Sequence, residues 1–108
     1  MSETVKNELD KIVSVLIATG IVRKIILFGS HAKGDSRPNS DIDLCILTST
    51  TEKRPIELMG DFHYMLYGVR SLPVDLLAYN EEQFYFHAER PTSFEYEIAK
   101  NGVLIYEH

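Results

Sequence analysis

The stretch FGSHAKGDSRPNSDIDLCIL, Phe28 to Leu47, begins and ends as apolar, strand-like sequence with a polar, glycine- and serine-containing middle. Two carboxylates, Asp41 and Asp43, stand inside its second strand-like run, Asp41 to Leu47. Carboxylates are poor strand formers and are costly to bury unless something pairs with them. Residues two apart in a strand share a face and lie about 6.6 Å apart along the chain. Asp41 and Asp43 therefore project side by side, while Ile42, Leu44 and Ile46 turn to the other face and toward a core. Two carboxylates that close repel, and the nearest Lys or Arg in sequence is Arg37. A divalent cation resolves the conflict, because Mg²⁺ takes one or two carboxylates together with substrate phosphates and water. Taken alone, a D-x-D pair reads first as an exposed edge strand whose acids face water.

The residues upstream shift that balance. Gly29-Ser30 follows a predicted strand, Lys24 to Phe28, and opens a small-residue turn, His31-Ala32-Lys33-Gly34. Backbone N–H groups at such a turn form an anion-binding concavity, and the Ser30 hydroxyl can donate to a phosphate oxygen. A phosphate cradle thus stands one loop away from a metal-binding pair, the combination that nucleoside triphosphate chemistry requires. Two other motif readings fail. Gly29 to Ser36 has P-loop glycine spacing, but Asp35 stands where the lysine belongs. Asp41 to Ile46 starts like a calcium loop and then continues as hydrophobic strand, with no glycine at the sixth position.

Outward from this centre the elements alternate. Residues 3–19 place Val5, Leu9, Ile12, Val13, Leu16 and Ile17 at helical spacing, with Ser2 to cap the start and Gly20 to end it. Beyond the loop Ser36-Arg37-Pro38-Asn39 and the D-x-D strand, a second helix starts with Pro55 in its first turn. It carries Ile56, Met59, Phe62, Leu66 and Val69 on one face. Pro73 opens a third strand, Val74 to Tyr79, and Asn80-Glu81-Glu82-Gln83 caps a further helix. Thr92 with Glu95 repeats the cap signal, and Gly102 precedes a last strand, Val103 to Tyr106. The order predicts one α+β domain over residues 1–108.

Composition bounds the partners. A chain of 108 residues with 44% hydrophobic and 25% charged residues is globular in character. It holds no apolar run of membrane-spanning length and no signal-peptide pattern. The lone Cys45 excludes an internal disulfide and predicts a reducing, cytoplasmic setting. A net charge of −5 argues against non-specific nucleic-acid binding, which needs clustered Lys and Arg.

Gly29-Ser30, ten residues, then Asp41-Ile42-Asp43 resembles the G-S-x10-D-x-D signature of the DNA polymerase β-like nucleotidyltransferase superfamily. Over nearly its whole length the chain is similar to the minimal nucleotidyltransferases, bacterial and archaeal proteins of about this size. The resemblance implies a small mixed β-sheet packed by helices and a third carboxylate from a neighbouring strand, which Asp75 in Pro73-Val74-Asp75-Leu76-Leu77 supplies. It further implies that Asp41, Asp43 and Asp75 are the catalytic and metal-binding residues, holding two Mg²⁺ ions. Gly29 and Ser30, with Lys33 and Ser40, would bind the nucleotide, ATP being the expected substrate. A nucleoside monophosphate would pass to an acceptor hydroxyl with release of pyrophosphate. Minimal members are often encoded beside a helical HEPN partner, and some act as antitoxins by adding AMP to a tyrosine of that toxin. The acceptor is then expected from another molecule, as a homo- or hetero-oligomer. A rival reading from another class is a binding module that neutralises its partner by occlusion.

The remaining candidates read more plainly. His31, His63, His87 and His108 have no zinc-site spacing, and only His31 lies beside the cradle, where it can contact phosphate or base or simply face solvent. Lys33 and Arg37 can meet phosphate charge or simply be solvated. Cys45, on the face of Asp41 and Asp43, reads as a small buried hydrophobe. The aromatic residues at 62–67 and 84–86 read as core rather than as a base platform.

Overall fold

The computed structural model describes residues 2–37 and 40–108. The elements run α1 (Glu3–Ile17), β1 (Val22–Phe28), α2 (Gly29–Lys33), β2 (Ile42–Thr48), α3 (Pro55–Leu66), β3 (Val74–Asn80), α4 (Glu81–Ala88), α5 (Phe94–Asn101) and β4 (Val103–Glu107). The strands form one mixed sheet in the order β3-β2-β1-β4. β1 pairs antiparallel with both β2 and β4, while β2 and β3 run parallel, joined by α3 as a crossover. Parallel neighbours need such a long connection, so the helix between the two acidic strands is what brings them side by side.

Both faces of the sheet are covered. On one, Ile25 and Leu27 of β1, Ile42, Leu44 and Ile46 of β2, and Leu76 and Ala78 of β3 pack against Leu9, Ile12 and Leu16 of α1 and Leu58, Phe62 and Leu66 of α3. On the other, Ile26, Cys45 and Leu47 meet Phe84 of α4 and Ile98 of α5, with Leu77 and Tyr79 at the margin. The expectation that Ile42, Leu44 and Ile46 enter the core therefore holds, and the opposite face of β2 is equally buried beyond Asp43. A strand buried on both faces reads as a continuous apolar run, as Leu44 to Leu47 does. Cys45 is the small buried hydrophobe expected of it; burial, with Glu95 nearby, pushes its thiol up to about 12.

Ser2 caps α1 by accepting the Val5 N–H at 3.2 Å, and Asn80 caps α4 by accepting the N–H groups of Glu82 and Gln83. Some boundaries differ from expectation. The α5 cap is Ser93, which accepts the Tyr96 N–H, rather than Thr92. Ile56 is 67% exposed and Val69 lies past the end of α3, so the buried stripe there is Leu58, Phe62 and Leu66. Of the aromatics at 62–67 and 84–86, Phe62 and Phe84 are core, whereas Tyr64, Tyr67 and Phe86 are exposed. Pro38 and Asn39, in the loop expected before β2, lie outside the described residues. Among the described residues no helix is long and apolar enough to cross a membrane.

Candidate active site

Three adjacent strands deliver the candidate residues to one level of the sheet. Phe28, the last residue of β1, faces Asp43 across the antiparallel ladder, and Asp43 is in parallel register with Asp75. Residues directly paired across a ladder share a face, so the Asp43 and Asp75 side chains project together. Their face is the one that carries Cys45 and Leu77 further along and is roofed there by α4 and α5. At the level of the aspartates Asp43 is half-buried and Asp75 exposed. Asp41 is exposed and stands just ahead of β2 instead of within it. The first residue of β2, Ile42, donates its N–H to the Pro73 carbonyl at 3.0 Å, which ties the entrance of β2 to that of β3.

The turn after β1 is helical, contrary to the simple turn expected: Gly29 to Lys33 form α2, closed by Gly34 in the left-handed region. Gly29 itself has φ +75°, and its bare α-carbon lies against the Asp43 carboxylate. A Cβ there would sit 3.0 Å from Asp43 Cγ and closer still to Oδ2. Only glycine combines that backbone angle with that approach.

His31 is buried, and its Nε2–H donates to the Ser40 carbonyl at 3.0 Å. A carbonyl only accepts, so this contact sets the ring tautomer. The Ser40 hydroxyl accepts the Arg37 N–H at 2.8 Å, and the Ser40 N–H donates to the Arg37 carbonyl at 2.9 Å. His31 thus ties α2 to the residue preceding Asp41, a packing role that a histidine in a polar run does not announce. Lys33 lies on α2 and lines a cleft of about 210 Å³ together with Gly29 and Asp43. The opposite wall is α5, through Phe94, Glu97 and Asn101. Phe94 is 53% exposed and meets Phe28 edge to face at 5.7 Å, and Asn101 Nδ2 donates to Glu97 Oε1 at 2.8 Å. Sequence reasoning missed this wall: the cap signal at 92–95 announced a helix without saying which end of the sheet it would cover.

Electrostatically Asp43 is the focus. Burial above all, then the carboxylates of Asp75 and Asp41, push its pKa above the usual carboxylate range, and His31 acts in the opposite direction. Among the described residues no group of three or more His, Cys, Asp or Glu side chains converges closely enough to hold an ion in the present arrangement. The donor chemistry nevertheless fits a hard divalent cation: an in-register pair of carboxylates, a third two residues upstream, and mutual repulsion that such an ion would cancel.

A stability prediction follows from the raised pKa. Between its ordinary value and the raised one, the folded state binds more of this proton than the unfolded state does. Stability therefore falls as pH rises through that interval and stays lower above it. Asp43→Asn removes the charge, so the metal-free variant is expected to melt modestly higher than the parent at neutral pH. The gain should disappear below the ordinary carboxylate pKa. Thermal melts in chelator across pH check this; an equal or lower Tm for the variant at pH 7 contradicts it.

Residues 10–108 match the family described as "Polymerase beta, Nucleotidyltransferase". Over 87 residues the chain is 32% identical to MJ0604, a proposed protein adenylyltransferase of Methanocaldococcus jannaschii, covering 81% of each. Among solved structures it resembles a proposed nucleotidyltransferase from Sulfolobus solfataricus, with a TM-score of 0.59 and 18% identity, over 100% of this chain and 90% of that one. It also resembles a toxin-antitoxin structure with AMP-PNP, with a TM-score of 0.58 and 22% identity, over 92% of this chain and 73% of that one.

Proposed function

Since the chain belongs to the polymerase beta nucleotidyltransferase family, as an enzyme of the minimal nucleotidyltransferase type, we propose that it transfers AMP from ATP to a hydroxyl of a partner protein. The observation that carries the reading is the Asp43–Asp75 register pair beside the Gly29-Ser30 turn. Asp41, Asp43 and Asp75 would hold two Mg²⁺ ions. When bound, these ions would neutralise the triphosphate and make the acceptor hydroxyl more acidic.

The chain's own groups account for the rest. The Gly29 and Ser30 N–H groups and the Ser30 hydroxyl orient the terminal phosphates, and Lys33 adds positive charge at the mouth of the cleft. Ser40 holds the approach to Asp41 through its hydrogen bonds with Arg37 and His31. Asp75, exposed and next to Asp43, accepts the proton of the attacking hydroxyl. Attack at the α-phosphorus forms the new ester bond and expels pyrophosphate.

The acceptor we assign is a tyrosine of a helical HEPN toxin, with this chain as a single catalytic domain over residues 1–108 that acts as antitoxin in the cytoplasm. Support comes from MJ0604, named for adenylyl transfer to protein, and from the likeness to a toxin-antitoxin structure. The test is to incubate the protein with labelled ATP, Mg²⁺ and the product of any neighbouring HEPN-type gene, and to map the label. Label on a tyrosine of the partner supports the assignment. A partner that is silenced without label favours occlusion. Ser30→Ala removes one donor to a charged oxygen, worth about 1.5–3 kcal/mol, so transfer is expected to fall roughly tenfold to a hundredfold without vanishing. A parental rate in that variant would make the turn purely structural.

A further inference from the structure

Glu8 is the one charged side chain among the described residues that is fully withdrawn from water, at 3% exposure. It lies on α1, in the apolar stripe of Val5, Leu9 and Ile12. A carboxylate is expensive to bury without compensation, and the compensation here comes from a distant point in the chain. Both oxygens of Glu8 accept the Ser71 N–H, each at 3.0 Å. Lys11, one turn on, closes the arrangement: its Nζ lies 3.4 Å from Glu8 Oε1 and donates to the Ser71 hydroxyl at 3.1 Å.

Ser71 belongs to the short link between α3 and β3. Two residues later the Pro73 carbonyl accepts the Ile42 N–H, and two residues beyond that stands Asp75, in register with Asp43. The link is therefore held at two points, by α1 at Ser71 and by β2 at Pro73, immediately before it delivers Asp75. β3 is an edge strand, paired on one side only. An edge strand has half the ladder to set its register and is freer to slide or fray at its end.

We propose that Glu8, completed by Lys11, is a positioning residue that fixes the entrance of β3 and so holds Asp75 at the level of Asp43. This rests on the role given to Asp75 in the nucleotidyl transfer above. Glu8 touches neither nucleotide nor acceptor. Its effect belongs to the transfer step, since Gly29 and Ser30 follow β1 and Asp43 is held independently by its pairing with Phe28 of β1.

The test is Glu8→Gln, which keeps the shape but removes the charge that Lys11 and the Ser71 N–H share. Lys11→Met is the second variant, at a half-exposed position that tolerates change if the first fails to fold. Amide hydrogen exchange is followed across β1, β2 and β3, alongside kcat, KM for ATP and the Mg²⁺ concentration giving half-maximal rate. Expected are faster exchange confined to Ser71 and the first half of β3, and a kcat lowered about tenfold to a hundredfold, the penalty of a displaced reacting group. KM for ATP should stay within about twofold, the mark of a group acting only in the transfer step. The half-maximal Mg²⁺ concentration should rise. Exchange that quickens equally in every strand means Glu8 only stabilises the fold, and overturns the proposal. So does a loosened β3 with unchanged kcat and Mg²⁺ dependence. If the parent itself transfers nothing, the catalytic reading fails independently. The anchoring of β3 is then decided by exchange alone, local quickening supporting it and an unchanged pattern refuting it.

Discussion

Asp75→Asn is expected to bind ATP about as well as the parent and to lose nucleotidyl transfer by on the order of a thousandfold or more, equivalent to several kcal/mol of transition-state stabilisation. Asp75 is exposed in register beside Asp43, while Asp43 is half-buried against Gly29 and Asp41 flanks it. The groups proposed to face the nucleotide are therefore untouched by the substitution. What disappears is the carboxylate proposed to receive the acceptor proton. Asn is nearly isosteric and cannot take a proton in this range, so the loss should appear in kcat with KM for ATP preserved. Equilibrium binding of ATP with Mg²⁺, measured beside single-turnover transfer of labelled AMP, checks both halves. Equal transfer by parent and variant would remove Asp75 from the catalytic set. Loss of binding and transfer together would make it part of the nucleotide site instead.

The second large effect is expected at Gly29. Gly29→Ala places a Cβ 3.0 Å from Asp43 Cγ at a backbone angle of φ +75°. The backbone penalty for an L-residue in that region is about 1–2 kcal/mol, but displacement of Asp43 is the more damaging consequence. A reacting group misplaced by about an ångström can cost a hundredfold in rate, and here a carboxylate must swing away from the turn. Transfer is expected to fall at least that far, and the gain in Tm on adding Mg²⁺ with ATP to be lost, since only ligands that bind the folded state raise it. Gly34→Ala is the matched control. Gly34 has φ +79° and open space within 4 Å of where a Cβ would stand, so it carries the backbone penalty alone. If both variants lose a similar amount of stability and both keep transfer, the close approach at Gly29 has no functional weight.

Much of this architecture was legible because the signals are local. α1, α3 and the first three strands follow from apolar periodicity and from caps such as Ser2 and Asn80, whose hydrogen bonds span only two or three residues. α2 was not legible. Its five residues carry no apolar period, and it forms between two glycines in the left-handed region, one of which is also pressed against a side chain from another strand. His31 read as a solvated or phosphate-facing residue for the same reason, since its partner, the Ser40 carbonyl, lies across a loop. Glu8 left a trace, an acid in the apolar stripe of α1. The trace had no meaning until Ser71 was seen opposite.

The sequence by itself determined the donor chemistry: a glycine-serine turn, two aspartates at strand spacing, and a third acid in another apolar strand. Those features depend on backbone geometry within a few residues, which repeats identically wherever a strand or turn forms. Only the tertiary structure decided that β2 and β3 run parallel with Asp43 beside Asp75, and that the wall of the cleft comes from α5. Strand pairing and register are settled by which arrangement buries both faces of β2 at once, between α1 and α3 on one side and α4 and α5 on the other. That burial is a property of the whole chain, and no window around the aspartates contains it.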